Sequence, residues 1–427
     1  MQIFEHVVVE LPADGDPDAT IYQIASITEG KLIAVQSDLA CQPRGLRSAA
    51  VKAGIKYPDT YDTCLVAMDK PGVGAGIFTK NRSASPAVHI DRTHLADGQA
   101  QALIVLSKNA NAFTPTDRAD AMRICDIVAG GVGATTQDVL ISCTGVIGVQ
   151  LPMPVVEAGV EKAVASLQPG LIPETAQAIL TTDKRPKVCS LCFSGVNVAA
   201  MAKGAGMTEP NMATMLVYFF TDLAIDADLL REMLVRVGDR TFNSISVDTD
   251  TSTSDSLIVL STALVPATPD LLRDFEAALG AMMLKLSRDI VYQAEGATKV
   301  IEAQVTGALS VENARQVAKL IVNSPLVKTA VFGSDPNWGR VAMALGKPGQ
   351  QQTGPIDTRC VVIRMNGATL FSRGEAVPLR LQELSANLHA SKKIDIAVDL
   401  GEGSENWTAW GCDLSYDYVK TNAEYTS

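Results

Sequence analysis

The sequence predicts an α/β (α+β) chain whose sheets are covered by helices, and three observations lead there. Short apolar runs of strand character alternate with amphipathic helical stretches through most of the 427 residues. Hydrophobic residues make up 47% and charged residues 19%, which supplies a large interior and excludes disorder. No internal repeat or low-complexity tract interrupts the pattern, and the length suits two or three domains or subdomains.

The elements follow in chain order. Residues 3–11 and 20–35 are β-prone and joined by the turn-forming Asp14-Gly15-Asp16-Pro17, so residues 1–42 read as a small N-terminal β hairpin or appendage. A homogeneous body begins near Gly45. Residues 101–106 and 139–142 read as short buried strands bounded by polar or glycine-containing turns. A helix is expected over 226–237, with Leu230, Met233, Leu234 and Val237 on one face. A longer one runs over 269–293: Thr268 is placed to cap it, and Pro269 fills the first position, where a missing N–H costs nothing. Its apolar residues Leu272, Phe275, Leu279, Met282, Leu286 and Ile290 recur every three or four positions. Residues 394–400 alternate Ile394, Ile396, Val398 and Leu400 with Asp395, Ala397 and Asp399, the period of a half-buried strand.

Composition also excludes function classes. There are 36 Lys and Arg against 47 Asp and Glu, a net charge of −11. An acidic surface without a Lys/Arg run is a poor partner for nucleic acid or anionic lipid. No apolar stretch approaches the ~18 residues a membrane span needs, and residues 1–30 lack a basic segment followed by an apolar one. Eight cysteines scattered along a long chain fit a reduced, cytoplasmic protein.

Several motifs fail their own tests. Cys189-x-x-Cys192 has no second pair or nearby histidine for zinc and falls in a strand-like run, so core packing is the expectation and no metal site is assigned. The four histidines show no metal spacing. Gly130-Gly131-Val132-Gly133 follows a helix-like run over 117–129 rather than a strand, which suits a helix C-terminal turn better than a dinucleotide loop. The run Asp248-Thr249-Asp250-Thr251-Ser252 lacks the sixth-position glycine and distal glutamate of a calcium loop, and reads as a hydrogen-bonded turn.

One stretch does not look like routine core. Residues 201–216 pack glycines, the lone Lys203 and Pro210 into a dozen positions just before an apolar strand expected over 215–220. Glycine permits positive φ and close backbone approach, and proline stiffens the exit.

This segment resembles the self-cleavage signature of the ornithine acetyltransferase (glutamate N-acetyltransferase) family. Further blocks match in order: Gly45-Leu46-Arg47, Ser142 to Gly148, Thr181-Thr182-Asp183, Asn243 to Ser254, Glu295 to Lys299, Asn323 to Lys328, Asp335 to Arg340, and Tyr418 to Asn422. The resemblance implies layered sheets sandwiched by helices, an aminopeptidase/ornithine acetyltransferase-like fold. It also implies a chain that cuts itself between Ala213 and Thr214, leaving an α fragment (43–213 after the appendage) and a β fragment (214–427). The chemistry is sound: the Thr214 hydroxyl can attack the Ala213 carbonyl, and hydrolysis of the resulting ester frees the Thr214 amine. With an ordinary pKa of ~7.7–8.0, that amine can serve as general base beside its own hydroxyl.

By the same resemblance, Thr144 and Gly145 form an oxyanion hole, and Thr181, Lys203, Thr214, Glu295, Asn422 and Ser427 hold the substrate. Lys203 suits a carboxylate and Glu295 an ammonium. Asn422 and Ser427 require the C-terminus to fold back into the site, and Leu414, Tyr416, Tyr418 and Tyr425 suit a docked end. The activity implied is acetyl transfer from N2-acetylornithine to glutamate in arginine biosynthesis. It needs no cofactor, although acetyl-CoA serves some members as a co-substrate. The implied assembly is α2β2 or higher. Two departures stand out. Residues 107–112 put Lys108 where the family commonly has glycine, and the first forty residues have no typical counterpart. Alternatives are the same chemistry on another ornithine-like amino acid, hydrolysis by the same threonine, and a non-catalytic binding protein.

Overall fold

The computed structural model describes residues 4–12, 16–209, 215–347 and 356–424. Among these, the strands form a three-stranded, a nine-stranded and a seven-stranded sheet.

The N-terminal sheet pairs Val7–Glu10 with Ile21–Ser26, and Ile21–Ser26 with Lys31–Ala34, all antiparallel. The β-prone run 20–35 is therefore two strands, because Gly30 at φ +64° turns the chain back on itself. Nor is the sheet set apart from the body. Tyr22 and Ile24 are buried in the same core as Phe275, Leu279 and Met282 of the long helix Pro269–Tyr292.

The nine-stranded sheet is two half-sheets joined by one long strand, Thr63–Phe78. Its first part pairs with Leu46–Val51 and Gln99–Asn109, and its last part with Ser256–Val265. The register breaks between Ala67 and Gly72. Gly72 is needed there, since a Cβ would lie 2.2 Å from the Ser261 carbonyl oxygen. Beyond Gln99–Asn109 lies the parallel strand Val139–Val146. Beyond Ser256–Val265 come parallel Leu216–Leu223, then antiparallel Val196–Lys203 and Lys187–Phe193.

Three cores sort these pieces into layers. One lies between the half-sheets, where Val66, Leu103 and Leu140 meet Met201, Tyr218 and Ile258. A second covers the outer face of the first half-sheet with Pro86–His94, Asp117–Val132 and Met153–Ala165. The third covers the other half with Ala227–Arg240, Pro269–Tyr292 and the N-terminal sheet. The order is helices, sheet, sheet, helices, as the layered expectation had it. The seven-stranded sheet, centred on Val300–Ala308 and Lys393–Asp399, has its own core against Val311–Val322.

Local sequence signals are realised in detail. Thr268 Oγ1 accepts the Leu271 N–H at the start of the long helix. The Asp226 carboxylate accepts from Asp228 and Leu229 at the start of the other. Ile394, Ile396 and Val398 are buried at every second position. The helix expected over 117–129 runs to Val132, taking Gly130 and Gly131 into its last turn, and Gly133 ends it at φ +74°. The apolar strand expected over 215–220 is Leu216–Leu223. Cys189 is buried and Cys192 exposed on the strand Lys187–Phe193. Among the described residues, no helix is long and apolar enough to cross a membrane.

Candidate active site

The strand directions bring one set of ends together at a single edge of the sandwich. Gln99–Asn109 and Val139–Val146 run parallel and finish there, and Val196–Lys203 finishes opposite the start of Leu216–Leu223. A cavity of about 130 Å³ opens at this edge. Thr144, Gly145, Thr181, Lys203, Glu295 and Asn422 all line it, although they come from five separate stretches of sequence. Met215, covalently joined to Thr214, lines it too. Ala213, Thr214 and Ser427 lie outside the described residues.

Thr144 and Gly145 sit near the end of Val139–Val146. Gly145 takes φ +133°, and a Cβ on it would fall 2.2 Å from the Lys108 carbonyl carbon. Only glycine fits so close to the neighbouring backbone. Lys203, the last residue of its strand, is 9% exposed, and its Nζ donates to Thr144 Oγ1 at 3.2 Å. Burial pulls the Lys203 pKa down and nearby Lys187 adds to that, while Asp183, Asp255 and Glu295 oppose the fall.

Behind Lys203 lies a buried ion pair, Asp183 with Lys187 at 2.7 Å, both side chains fully shielded. Asp183 Oδ1 also accepts the Gly204 N–H at 2.8 Å, and Oδ2 accepts the Thr181 N–H at 3.4 Å. Burial would raise this carboxyl, but Lys187, Lys203 and the Gly204 N–H outweigh it and hold the pKa at about 2. Asp183 thus ties the turn carrying Thr181 to the strand end carrying Lys203.

Just past this strand end, the Glu295 N–H donates to Ala205 O at 2.9 Å, and Asn422 Nδ2 donates to Glu295 Oε2 at 2.9 Å. Gly296, at φ +68°, lets the start of the C-terminal helix Tyr416–Glu424 approach, since a Cβ there would sit 2.2 Å from the Tyr418 nitrogen. The C-terminal helix is therefore docked through its polar side, while Tyr416 is 84% exposed and stacks edge-on with Phe332.

The acidic run tested as a calcium loop is a scaffold for the glycine-rich segment. The Asp248 carboxylate accepts N–H groups from Met207, Thr208 and Asp250. Burial pushes its pKa up against those bonds. Glu209 is held by Asn323 Nδ2, at 2.8 Å to each carboxylate oxygen, and by Lys319 at 3.4 Å.

Residue-level reading missed Ser252, Thr253, Ser254 and Asp255, which also line the cavity. They precede Ser256–Val265, which pairs in parallel with Leu216–Leu223, so both chains enter the sheet beside the cavity. The signal was present as a run of hydroxyls ahead of an apolar strand, but only the strand order says which strand lies next to it.

Comparison with known proteins shows an enzyme of the acyltransferase class. The ArgJ family profile matches residues 47–427. The arginine biosynthesis bifunctional protein ArgJ 2 of Nostoc sp. is 41% identical over 386 residues, covering 90% of this chain and 98% of that protein. Glutamate N-acetyltransferase Oat2 of Streptomyces clavuligerus is 39% identical over 389 residues, again covering 90% and 98%. A crystal structure of ArgJ from Bacillus halodurans is similar at 38% identity and a TM-score of 0.45, covering 48% of this chain and 96% of that one. The chain belongs to the ArgJ family.

Proposed function

We propose that this enzyme transfers an acetyl group from N2-acetylornithine to glutamate, through an acetyl ester on Thr214 formed after the chain cuts itself between Ala213 and Thr214. Thr214 Oγ adds to the acetyl carbonyl while the Thr214 amine takes the hydroxyl proton. The amide C–N bond then breaks, and ornithine leaves with that proton. In the second half, the glutamate amine attacks the ester carbonyl, the C–O bond breaks, and the hydroxyl is restored. The Thr144 hydroxyl and the Gly145 N–H stabilise the oxyanion in both halves. Lys203 takes the substrate carboxylate and Glu295 its side-chain ammonium, with Thr181, Asn422 and Ser427 completing the contacts. The reaction draws on no cofactor, and acetyl-CoA enters as an alternative acetyl donor.

The observation that carries this reading is the convergence of Thr144, Gly145, Thr181, Lys203, Glu295 and Asn422 on the cavity that Met215 also lines. The names borne by the Nostoc and Streptomyces relatives support acetyl transfer to glutamate in arginine biosynthesis. The cut ends would stay together, because Val196–Lys203 and Leu216–Leu223 on either side of the junction are paired strands. An α2β2 or higher assembly in the cytoplasm completes the proposal.

Denaturing mass spectrometry and a donor–acceptor assay test it. Two fragments in place of an intact 45.2 kDa chain are expected, with ornithine release that depends on glutamate. Ornithine release at the same rate without glutamate would make the enzyme a hydrolase. Thr214→Ala should stay uncut and inactive; cutting in that variant would refute the mechanism.

A further inference from the structure

Lys108 has no part in the reaction as proposed, and it is not among the residues that line the cavity. Two features nevertheless mark it. Its φ is +80°, a conformation that a side chain bearing a Cβ rarely adopts. Its Nζ donates to the Leu180 carbonyl oxygen at 2.5 Å, across 72 positions of sequence.

The two ends of Lys108 touch different parts of the site. Its backbone lies against Gly145, close enough to forbid a Cβ there. Its ammonium holds the peptide just before Thr181. From that peptide the connections continue: the Thr181 N–H to Asp183, Asp183 to the Gly204 N–H, and Lys203 to the Thr144 hydroxyl beside Gly145. The path closes on itself, and Lys108 is the member that joins the Thr181 turn to the Thr144–Gly145 turn. Burial lowers the Lys108 pKa and the Lys203 ammonium lowers it further, with Asp183 and Asp62 opposing. The side chain thus stays half-buried beside another cation, on a strained backbone, for one hydrogen bond to a carbonyl.

We propose that Lys108 is a positioning residue: a strut that fixes residues 180–183 against the Thr144–Gly145 turn and so sets the width of the cavity. Its kinetic consequence rests on the acetyl-transfer reading above, but its structural consequence does not.

Three variants and two readouts separate these. Lys108→Met keeps the length and loses the donor, Lys108→Gly also relieves the backbone, and Lys108→Arg restores a cation. Hydrogen exchange by mass spectrometry should show faster exchange over residues 180–184 in the Met and Gly variants, with a smaller change in Arg and little change in Tm. The KM for acetylornithine should rise about tenfold in the Met variant with kcat nearly unchanged. Combining Lys108→Met with Thr181→Ala should raise KM no further than Thr181→Ala alone, because the strut acts through that turn. Unchanged exchange over 180–184 in Lys108→Met overturns the proposal, as does full additivity in the double variant. Faster exchange in a protein whose wild type transfers no acetyl group would uphold the strut and refute the acetyl-transfer reading.

Discussion

The Lys203 ammonium donates to the Thr144 hydroxyl oxygen at 3.2 Å, and that contact dictates where the hydroxyl proton can go. An ammonium has only donors, so the threonine oxygen must accept. Its own hydrogen is then free to turn elsewhere, and the cavity that both residues line is open to it. The positive charge also polarises the O–H bond, which makes it a stronger donor toward a developing negative charge. The pair therefore suits transition-state stabilisation better than a hydroxyl tied to a carbonyl would.

Thr144→Val tests this. It keeps the shape of the side chain and removes the donor. The expected result is a fall in kcat of about 10²-fold with KM within about twofold, since on the proposed mechanism the missing bond forms only as the carbonyl oxygen gains charge. Steady-state kinetics of acetyl transfer read it; an equal effect on KM and kcat would make Thr144 a ground-state contact instead.

Asp183→Asn tests the buried ion pair behind the site. Removing the carboxylate leaves the Lys187 ammonium fully shielded without its counter-charge, and the expected loss is about 3–5 kcal/mol at neutral pH. The pH dependence carries a sign. The folded pKa of Asp183 lies at about 2, below its ordinary 3.8, so its contribution is present above pH 4 and is lost as pH falls toward 2. In order of magnitude that is about 2 kcal/mol. Urea unfolding between pH 2 and 7 should show this acid loss in the wild type and a flatter curve in the variant.

The helices at Asp226 and Thr268 were legible in sequence because their signals are local: a capping side chain, a proline at the first turn, an apolar residue every three or four positions. Lys203, Glu295 and Asn422 were visible only through resemblance, since a single charged or amide residue looks like solvated surface until a fold puts it in a cavity. Asp183 illustrates what resists such reading altogether. Its partner Lys187 is near in sequence and Gly204 is not, and only the antiparallel pairing of Lys187–Phe193 with Val196–Lys203 brings both to one carboxylate. The N-terminal run 20–35 reads as one β-prone stretch and folds as two strands, because its turn at residues 27–30 contains a single glycine, a weak signal in such a stretch.

Glu295→Gln separates charge from docking. Glutamine still accepts the Asn422 amide, so the C-terminal helix keeps its anchor while the cavity loses a negative wall. The KM for acetylornithine should rise about tenfold, with kcat within about twofold. An acetylated donor without a side-chain ammonium should show no change. Equal losses for both donors would mean that Glu295 acts through the helix rather than on the substrate.

Asp274→Ala tests how the N-terminal sheet is held. From the long helix, this one buried carboxylate accepts the Ile27 N–H at 2.7 Å, the Thr28 N–H at 3.0 Å, the Ser26 hydroxyl at 2.7 Å and the Thr28 hydroxyl at 2.5 Å. Burial alone would raise its pKa, but these donors, the Thr28 hydroxyl foremost, bring it below the ordinary value. The stabilisation they give is accordingly full above the ordinary aspartate range and fades as acid protonates the group. Alanine strands two N–H groups, each costing about 1–3 kcal/mol if no water replaces the carboxylate. The effect should be local: faster hydrogen exchange and new protease cuts over residues 21–36, with acetyl transfer unchanged because the turn is bonded to Ser194, ahead of the strand Val196–Lys203 whose other end carries Lys203. Protection of 21–36 equal to wild type would mean that the apolar contacts of Tyr22 and Ile24 hold the sheet unaided.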